Sequence, residues 1–569
     1  MLKTILWFSA ALLGGMAYAL GAPSPYLPHH PLWAIAGMSI FLASLSLLHP
    51  QPGPHPLRHD LEAWGLFSLG LYLVGFNWIP GTMQDFGGLS AGWSYLLGAL
   101  SALILAPHIL IFIGLMHFLT RHFKSFDLRD RQHASFKLLG WAVIWLFLEN
   151  FIPQQFPYHL GHSWMRLAPY IAPATIGGEP LYSGTFTWLA LAAALFIQQR
   201  RLDWWAVSAS LALIITSFLT PLTNPYLDAA HGVSFQVRLV QGSIGNDLKV
   251  RAERGQWAAI QEVQKIYHGL SSITPATPLD LIIWPETAIH VPFNSNHLKE
   301  IPLINLPLIV QQTVRQQKTD LFAGGYDIFD QQQFNSAFYF GYTGAAENTT
   351  QGPSSEGGPK KETGVIRFGG YYHKIKLLAF GETLPFGPLN PYLFKWVEGL
   401  VSNFAAGTEY PVFTTSAQAH FIATICYEIL LSGWLRSYLQ QIKEVPDFIV
   451  NLTNDSWFGV TAEPAQHLFL AKWRAVEFQK AVIRSTNSGI STIIYPNGLT
   501  GPTMDVNVRA VLDQTIYLDP AHPAAPTIYQ RYGLGIVVGL AALLLILIRI
   551  LALPPKSNWQ IKAKFKFKF

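Results

Sequence analysis

The sequence predicts two structural parts, a multi-pass membrane bundle of about eight α-helices and an extracytoplasmic α/β domain. Half of the residues are hydrophobic and only 12% are charged, whereas ordinary soluble domains carry about 25% charged residues. Long apolar segments fill the first 220 residues and return near residue 533. Between them, short apolar runs alternate with amphipathic stretches, which is the pattern of alternating strands and helices.

The membrane part is predicted from segments whose lengths approach the roughly 20 apolar residues that cross a hydrocarbon core. Seven segments precede residue 221 and an eighth follows the α/β region: about 4–20, 31–49, 62–79, 91–119, 137–152, 182–198, 203–219 and 533–553. The fourth segment contains Pro107, which predicts a kink. We therefore expect a transmembrane domain over 1–220, an α/β domain over 221–531, a C-terminal span over 532–553 and a basic tail over 554–569.

Basic residues in the loops predict the orientation of the chain. The loop 121–137 is rich in lysine and arginine, two arginines follow the sixth segment, and the tail carries five lysines. The alternate loops 21–30 and 80–90 contain neither residue type. Because positive charge marks the cytoplasmic side, both termini are expected in the cytoplasm and residues 221–531 outside it. The Ala-Tyr-Ala at 17–19 resembles a signal-peptide cleavage site; cleavage would leave the remaining topology unchanged, and we favour retention.

Two polar stretches are interpreted from composition alone. Residues 345–364 are rich in glycine, serine and proline, and they are expected to form a flexible insertion in a hairpin. The KFKFKF ending is expected to lie on the anionic cytoplasmic leaflet. The equally plausible alternative is that this segment has no structural role. The net charge of +5 does not indicate nucleic-acid binding, because the basic residues cluster beside hydrophobic segments.

Cys426 is the only cysteine of the chain, so it forms no internal disulfide. It follows the apolar, β-branched run FIATI and precedes a polar continuation, which is how a buried strand delivers a side chain to the edge of a sheet. A thiol in this position is a candidate nucleophile for acyl transfer. A buried cysteine that acts as a small hydrophobic residue is the alternative, and the cysteine alone does not decide between them.

Two further segments accompany the cysteine. WPE ends in Glu286, YHKIKL contains Lys374 and CYE begins with Cys426. Three such segments in this order resemble the Glu-Lys-Cys triad of the nitrilase superfamily, and the flanking membrane segments narrow the resemblance to the apolipoprotein N-acyltransferase family. The resemblance implies that residues 221–531 form a nitrilase-like catalytic domain, a four-layer αββα sandwich.

The resemblance also implies a role for each residue of the triad. Acyl transfer needs a nucleophile, a base and positive charge where the tetrahedral oxyanion develops. Cys426 would be the nucleophile, Glu286 the base and Lys374 the positive charge. A solvated glutamate with a pKa of about 4.3 would be a poor base, so its site is expected to desolvate it partly. The Tyr427 backbone amide is a candidate second oxyanion donor, and a surface ion pair is the alternative for the glutamate and the lysine.

Four supporting residues are expected near the triad on the same resemblance. Glu382 in FGETLPF and Glu428 in CYE would orient Lys374 or the cysteine, since carboxylates beside a lysine keep it charged. Tyr427 would line the acyl entrance, with ordinary aromatic packing as the alternative. Trp457 in NLTNDSWFG is expected to lie near the site.

The resemblance implies the substrates and the location. A phospholipid, with phosphatidylethanolamine the expected donor, would pass its sn-1 acyl chain to Cys426, and the amine of a diacylglyceryl-cysteine lipoprotein would then receive it. The enzyme would be a monomer in the bacterial inner membrane, with its catalytic domain facing the periplasm and without a cofactor or nucleic-acid partner. The histidines are scattered along the sequence and predict no metal cluster. Val250 stands where the family has a tryptophan after QGSIGNDLK, which puts one lid contact in doubt.

Two alternatives from other classes stay open at this point. A membrane-tethered nitrilase-type amidase would use water as the acceptor, and it would release a free fatty acid or ammonia. A transporter or scaffold could carry an inactive nitrilase domain, but a degraded triad would then be expected. The eight apolar segments favour the transferase, because a hydrolase has no need of a site that opens onto lipid.

Overall fold

The computed structural model describes residues 2–49, 55–85, 87–130, 133–230, 232–300, 306–345, 364–395, 402–519 and 524–551. In these ranges the chain forms an N-terminal group of helices, two β-sheets with helices packed on them, and a C-terminal helix. Residues 346–363 of the predicted insertion and the whole predicted tail, 554–569, lie outside the described residues.

Nine α-helices precede the first strand in the described part of the chain: α1 (Leu2–Ala19), α2 (Pro31–Ser44), α3 (Pro56–Gly75), α4 (Ile79–Asp85), α5 (Ala91–Leu105), α6 (Pro107–His122), α7 (Ala134–Phe151), α8 (Ala174–Gln199) and α9 (Trp204–Leu219). Helices occupy all seven apolar segments predicted before residue 221. Helices α5 and α6 divide the fourth segment at Pro107 and are bent by 49°, because proline lacks the N–H that would continue the helix. The predicted kink is thereby confirmed.

The described helices are compatible with a membrane bundle. Three are long and apolar enough to cross a membrane by length and composition: α7, α8 and Leu534–Leu551. The bent pair α5 and α6 is a fourth candidate if it forms a single span. Apolar but shorter helices are Leu6–Ala19, Pro31–Ser44 and Trp204–Leu219. The total of eight spans stays a prediction.

Glycines let the first three helices approach one another closely. A Cβ atom on Gly15 would overlap the Phe67 carbonyl group, and one on Gly37 would overlap the Gly14 carbonyl oxygen. Residues with a side chain therefore do not fit at these crossings. Membrane helices use such small-residue contacts because lipid supplies no hydrophobic drive for two helices to associate.

Twelve strands and nine further α-helices follow in the described residues. The strands are β1 (Val233–Gln241), β2 (Leu281–Phe293), β3 (Asp320–Phe329), β4 (Gln332–Ala345), β5 (Gly364–His373), β6 (Phe413–Thr414), β7 (His420–Ile425), β8 (Phe448–Thr453), β9 (Ala481–Thr486), β10 (Ser491–Ile494), β11 (Thr500–Met504) and β12 (Ala510–Leu518). The helices are α10 (Asn246–Glu253), α11 (Trp257–Ser271), α12 (Ser295–Glu300), α13 (Leu308–Gln317), α14 (Asn390–Phe394), α15 (Ser432–Gln441), α16 (Glu463–Phe478), α17 (Ile528–Tyr532) and α18 (Leu534–Leu551).

The strands form two six-stranded sheets, in the orders β12-β1-β2-β3-β4-β5 and β11-β10-β9-β8-β7-β6. Each sheet has three parallel strands at its centre, β1-β2-β3 in one and β7-β8-β9 in the other. The sheets face each other through buried aromatic rings, such as Phe322 and Phe421, whose centroids lie 5.0 Å apart. Helices α11 and α13 pack on the first sheet and α16 packs against the second. This layering confirms the predicted αββα sandwich.

Buried polar contacts join the helical bundle to the sandwich. The Trp473 indole N–H donates to the His162 carbonyl oxygen at 3.1 Å. The Glu477 carboxylate accepts the Glu179 backbone N–H at 3.0 Å and pairs with Arg474 at 2.9 Å. Because unpaired buried charges are costly, these contacts fix how the second sheet sits on the bundle.

Candidate active site

The three predicted triad residues lie at breaks or ends of strands. Glu286 lies in β2 where the pairing with β3 shifts register, and the next residue, Thr287, has a φ of 52°. Lys374 directly follows β5, and Cys426 directly follows β7 with a φ of 51°. Positive φ is uncommon for residues with a side chain and costs of the order of 1–3 kcal/mol, so such residues cluster at functional sites. The turns therefore direct these side chains out of the ladders.

One cavity of about 710 Å³ brings the predicted residues together. Its walls include Glu286, Lys374 and Cys426, together with the supporting residues Glu382 and Trp457. Residues separated by up to 171 positions thus share one space. The roles assigned to them from the sequence stay predictions, because shared position alone does not establish catalysis.

Lys374 lies between two carboxylates. Its ammonium nitrogen is 2.8 Å from Glu382 Oε2 and 3.5 Å from Glu286 Oε1. The Asn335 amide nitrogen donates to Glu286 Oε1 and to Glu382 Oε1, at 2.8 Å in each case. Asn335 lies in β4. The sequence analysis did not predict it as a site residue, because nothing in the segment NSAFYF indicates a functional asparagine. It holds the two carboxylates in fixed relation to the lysine.

Burial shifts the pKa values of the three triad groups. Burial raises the pKa of Glu286 above its ordinary value, although Lys374 opposes the shift. Burial alone would lower the pKa of Lys374, but Glu382 and Glu286 outweigh burial and raise it. Burial, followed by the charge of Glu286, raises the pKa of the Cys426 thiol. The resting site therefore holds a neutral thiol beside a carboxylate that is a better base than a solvated glutamate.

Glu428 has no exposed surface and accepts hydrogen bonds on both oxygens. Its donors are the backbone N–H groups of Ile375, Lys376 and Ile425 and the Tyr372 hydroxyl, at distances of 2.7–2.8 Å. The carboxylate thus ties the segment after β5 to the turn after β7. This placement fits the predicted orienting role of Glu428, which acts on backbone rather than on the lysine ammonium.

Tyr427 and Trp457 face different cavities. The Tyr427 ring lines a cavity of about 350 Å³ between the 149–162 region and residues 430–434, and its hydroxyl donates to the Gln154 carbonyl oxygen at 3.3 Å. Its side chain is not among those that line the cavity with the triad, so its predicted place at the acyl entrance stays a prediction. Trp457 does line the triad cavity, with the Lys249 ammonium 5.5 Å from its ring centroid.

Two groups of histidine and carboxylate side chains meet in the fold, although the histidines are scattered along the sequence. Folding gathers His159 and His162 with Glu179, and His467 with Asp455 and Glu463, within 4.8 Å in each group. Neither group fits a metal well. His162 Nδ1 accepts the His159 backbone N–H, which leaves the proton of a neutral ring on Nε2, where a metal would need a lone pair. In the second group, Asp455 already pairs with the Arg484 guanidinium at 2.8 Å.

Several known proteins are similar to this chain. The carbon-nitrogen hydrolase family model matches residues 236–518. An apolipoprotein N-acyltransferase of Bdellovibrio bacteriovorus is 27% identical over 513 residues, which cover 86% of this chain and 84% of the relative. The apolipoprotein N-acyltransferase of Azotobacter vinelandii is 28% identical over 543 residues, which cover 93% of each. A solved CN-hydrolase superfamily protein of Xanthomonas campestris aligns with 50% of this chain and 91% of its own, at 15% identity and a TM-score of 0.31.

The sandwich and the strand-end cysteine define a nitrilase-superfamily domain. The similarity to the two bacterial acyltransferases extends beyond that domain into the apolar helices, which confirms the resemblance drawn from the sequence. The chain is similar to apolipoprotein N-acyltransferases over most of its length, and it is an acyltransferase with a carbon-nitrogen hydrolase domain.

Proposed function

We propose that this chain transfers an acyl chain from a phospholipid, through a thioester on Cys426, to the N-terminal amine of a diacylglyceryl-cysteine lipoprotein. One observation carries the proposal: the Cys426 thiol and the buried side chains of Glu286 and Lys374 share one cavity. A nucleophile, a base and positive charge are the groups that acyl transfer needs. The name of the similar enzymes, apolipoprotein N-acyltransferase, indicates a lipoprotein as the acceptor.

In the first half-reaction, Glu286 accepts the thiol proton while the sulfur attacks the ester carbonyl carbon. A C–S bond forms, and the carbonyl oxygen takes the negative charge beside Lys374. When the intermediate collapses, the C–O bond breaks and the glycerol oxygen takes the proton from Glu286. A lysophospholipid leaves, and the acyl chain remains as a thioester.

In the second half-reaction, the neutral α-amine of the acceptor attacks the thioester carbonyl. The amine passes a proton to Glu286, the C–S bond breaks and the thiolate recovers that proton. Lys374 again faces the developing oxyanion. Its raised pKa keeps it protonated throughout, so it acts as a fixed charge rather than as an acid.

The location and the domain division complete the proposal. Lipoproteins are acylated after export, so residues 221–531 should face the periplasm, between a transmembrane domain over 1–220 and a span over 532–553. We take the enzyme to be a monomer of the inner membrane with both termini in the cytoplasm. Activity reporters fused after residue 225 should read outside, and those fused at residue 130 should read inside. The opposite pattern would separate the triad from exported lipoproteins.

The test of the function uses the purified full-length protein in phospholipid nanodiscs. Phosphatidylethanolamine with a labelled sn-1 chain is added together with a diacylglyceryl-cysteine peptide, and products are separated by mass. We expect labelled N-acyl peptide and an equal amount of lysophospholipid. Labelled free fatty acid at the rate of lysophospholipid release, without N-acyl peptide, would instead identify a hydrolase that uses water.

A further inference from the structure

The cavity that holds Cys426 has a second charged wall, which α10 supplies. Lys249 and Glu253 lie four residues apart on this helix, so they project from the same side of it. Both side chains line the cavity together with the triad. The triad mechanism uses neither of them.

Lys249 is a buried cation whose pairing is weak. Its side chain is 7% exposed, and its nitrogen lies 3.6 Å from Glu253 Oε1, which is beyond ordinary hydrogen-bond length. Its ammonium also lies over the face of Trp457, and its charge reaches Glu286 and His290. Since a buried charge is normally held by close hydrogen bonds, an ammonium so placed on a cavity wall is suited to bind an anion that enters the cavity.

Glu253 is oriented but not enclosed. The Tyr326 hydroxyl donates to Glu253 Oε1 at 2.6 Å, and the Glu253 side chain remains 34% exposed. The Asn246 amide nitrogen at the start of α10 donates to the Ser456 carbonyl oxygen at 3.3 Å, beside Trp457. The helix, the tryptophan and the two charges therefore form one wall of the cavity, with positive and negative groups side by side.

We propose that Lys249 and Glu253 form a subsite for the head group of a zwitterionic phospholipid, with Lys249 binding the phosphodiester and Glu253 binding the ammonium. The inference rests on the proposed function, because the same glycerol carries the ester and the phosphate. When the ester carbonyl lies at Cys426, the phosphodiester must lie in the same cavity. Arg254, which directly follows α10, and His290 also line this cavity. Burial lowers the pKa of His290 to about 4, so His290 adds no positive charge at neutral pH.

The subsite predicts which phospholipid head groups the enzyme prefers. A phospholipid with an amine in its head group satisfies both charges, whereas one with a glycerol head group satisfies only Lys249. The enzyme should therefore prefer a zwitterionic donor to an anionic one, and Glu253 should be the source of that preference.

Binding is the suitable measurement, because the charge of Lys249 also reaches Glu286 and would alter the chemical step. The full-length Cys426→Ala protein is titrated in detergent with lysophosphatidylethanolamine, lysophosphatidylglycerol, monoacylglycerol and inorganic phosphate. Adding Lys249→Gln should weaken the binding of both lysophospholipids by about tenfold or more, as loss of a charged hydrogen bond does. The binding of monoacylglycerol should not change. Adding Glu253→Gln should weaken only lysophosphatidylethanolamine. Lys265→Gln and Glu262→Gln, on exposed positions of α11, are the matched controls.

Three outcomes would overturn the subsite: unchanged lysophospholipid binding in Lys249→Gln, an equal loss for monoacylglycerol, or inorganic phosphate binding as tightly as the lipid. The last result would mark a site for free phosphate. The binding pattern does not depend on acyl transfer. If the predicted pattern is found but wild-type protein transfers no acyl chain, the proposed function fails while the head-group subsite stands.

Discussion

The Glu428 carboxylate accepts the backbone N–H of Ile375 at 2.7 Å, and this bond joins the segment that carries the lysine to the turn that carries the nucleophile. Cys426 and Lys374 come from opposite sheets, so sheet packing alone would not fix their relative position. A buried carboxylate with four donors does so at short range.

Glu428→Ala should therefore lower both stability and activity. The variant leaves buried donors unsatisfied, each at a cost of about 1–3 kcal/mol, and it frees the nucleophile turn from β5. We expect a clearly lower midpoint of thermal unfolding and little acylation of the cysteine. Glu262→Ala, on the exposed side of α11, should change neither. Full activity in Glu428→Ala would show that the two turns are positioned without this carboxylate.

Glu286→Gln and Lys374→Ala should each slow acylation of Cys426 by two or more orders of magnitude, or about 3 kcal/mol of transition-state stabilisation. Their losses should not add in the double variant, because both groups serve the same charge-separated step. Single-turnover rates of acyl-enzyme formation measure this. Strictly additive losses would mean that the two residues act independently, as structural groups do.

The pH dependence of acylation should report Glu286. The base must be ionised to accept the thiol proton, and burial raises its pKa. The rate should therefore fall as the pH drops through a value above that of an ordinary glutamate, about 4.3. Glu286→Gln should remove this acid limb along with most of the rate. A limb at the same pH in the glutamine variant would assign it to another group.

The rate of alkylation by iodoacetamide tests the protonation state of the Cys426 thiol independently. The pKa of Cys426 is raised, so few thiolates exist at neutral pH. Labelling should be slow at pH 7 and accelerate steadily as the pH rises. Rapid labelling that is independent of pH would indicate a preformed thiolate and a different division of charge in the site.

The insertion should be dispensable for folding. Ala345 and Gly364 pair as partners at the ends of β4 and β5, so a short linker can close that hairpin. Replacing 346–363 with a short Gly/Ser linker removes no described strand and should leave the unfolding midpoint unchanged. A folded variant that no longer binds the lipoprotein acceptor would identify these residues as a recognition loop.

Much of the fold and part of the site followed from the sequence for physical reasons. Apolar length predicts membrane helices, proline predicts the α5–α6 bend, and a strand that ends in a polar residue delivers that residue to an edge. Asn335 could not be predicted, because its role depends on a strand pairing distant in sequence. The cavity that Tyr427 lines could not be predicted either, because it forms between the turn after β7 and residues far away in the sequence.

The charged wall that contains Lys249 and Glu253 could not be predicted from the sequence either. The sequence does not single out Lys249 and Glu253, because a lysine and a glutamate four residues apart are common on helices; only their burial and the shared cavity distinguish them. Likewise, His159 and His162 meet Glu179 only because α8 packs beside them.

Cys426 is expected to carry the acyl chain between the two half-reactions. Purified protein is incubated with phosphatidylethanolamine alone, digested and analysed by tandem mass spectrometry. We predict one acyl chain per protein, attached to Cys426 and released by hydroxylamine, with none on the folded, membrane-inserted Cys426→Ala variant. Formation of N-acyl lipoprotein by Cys426→Ala, without any acyl adduct on the wild-type protein, would show that Cys426 does not carry the acyl chain.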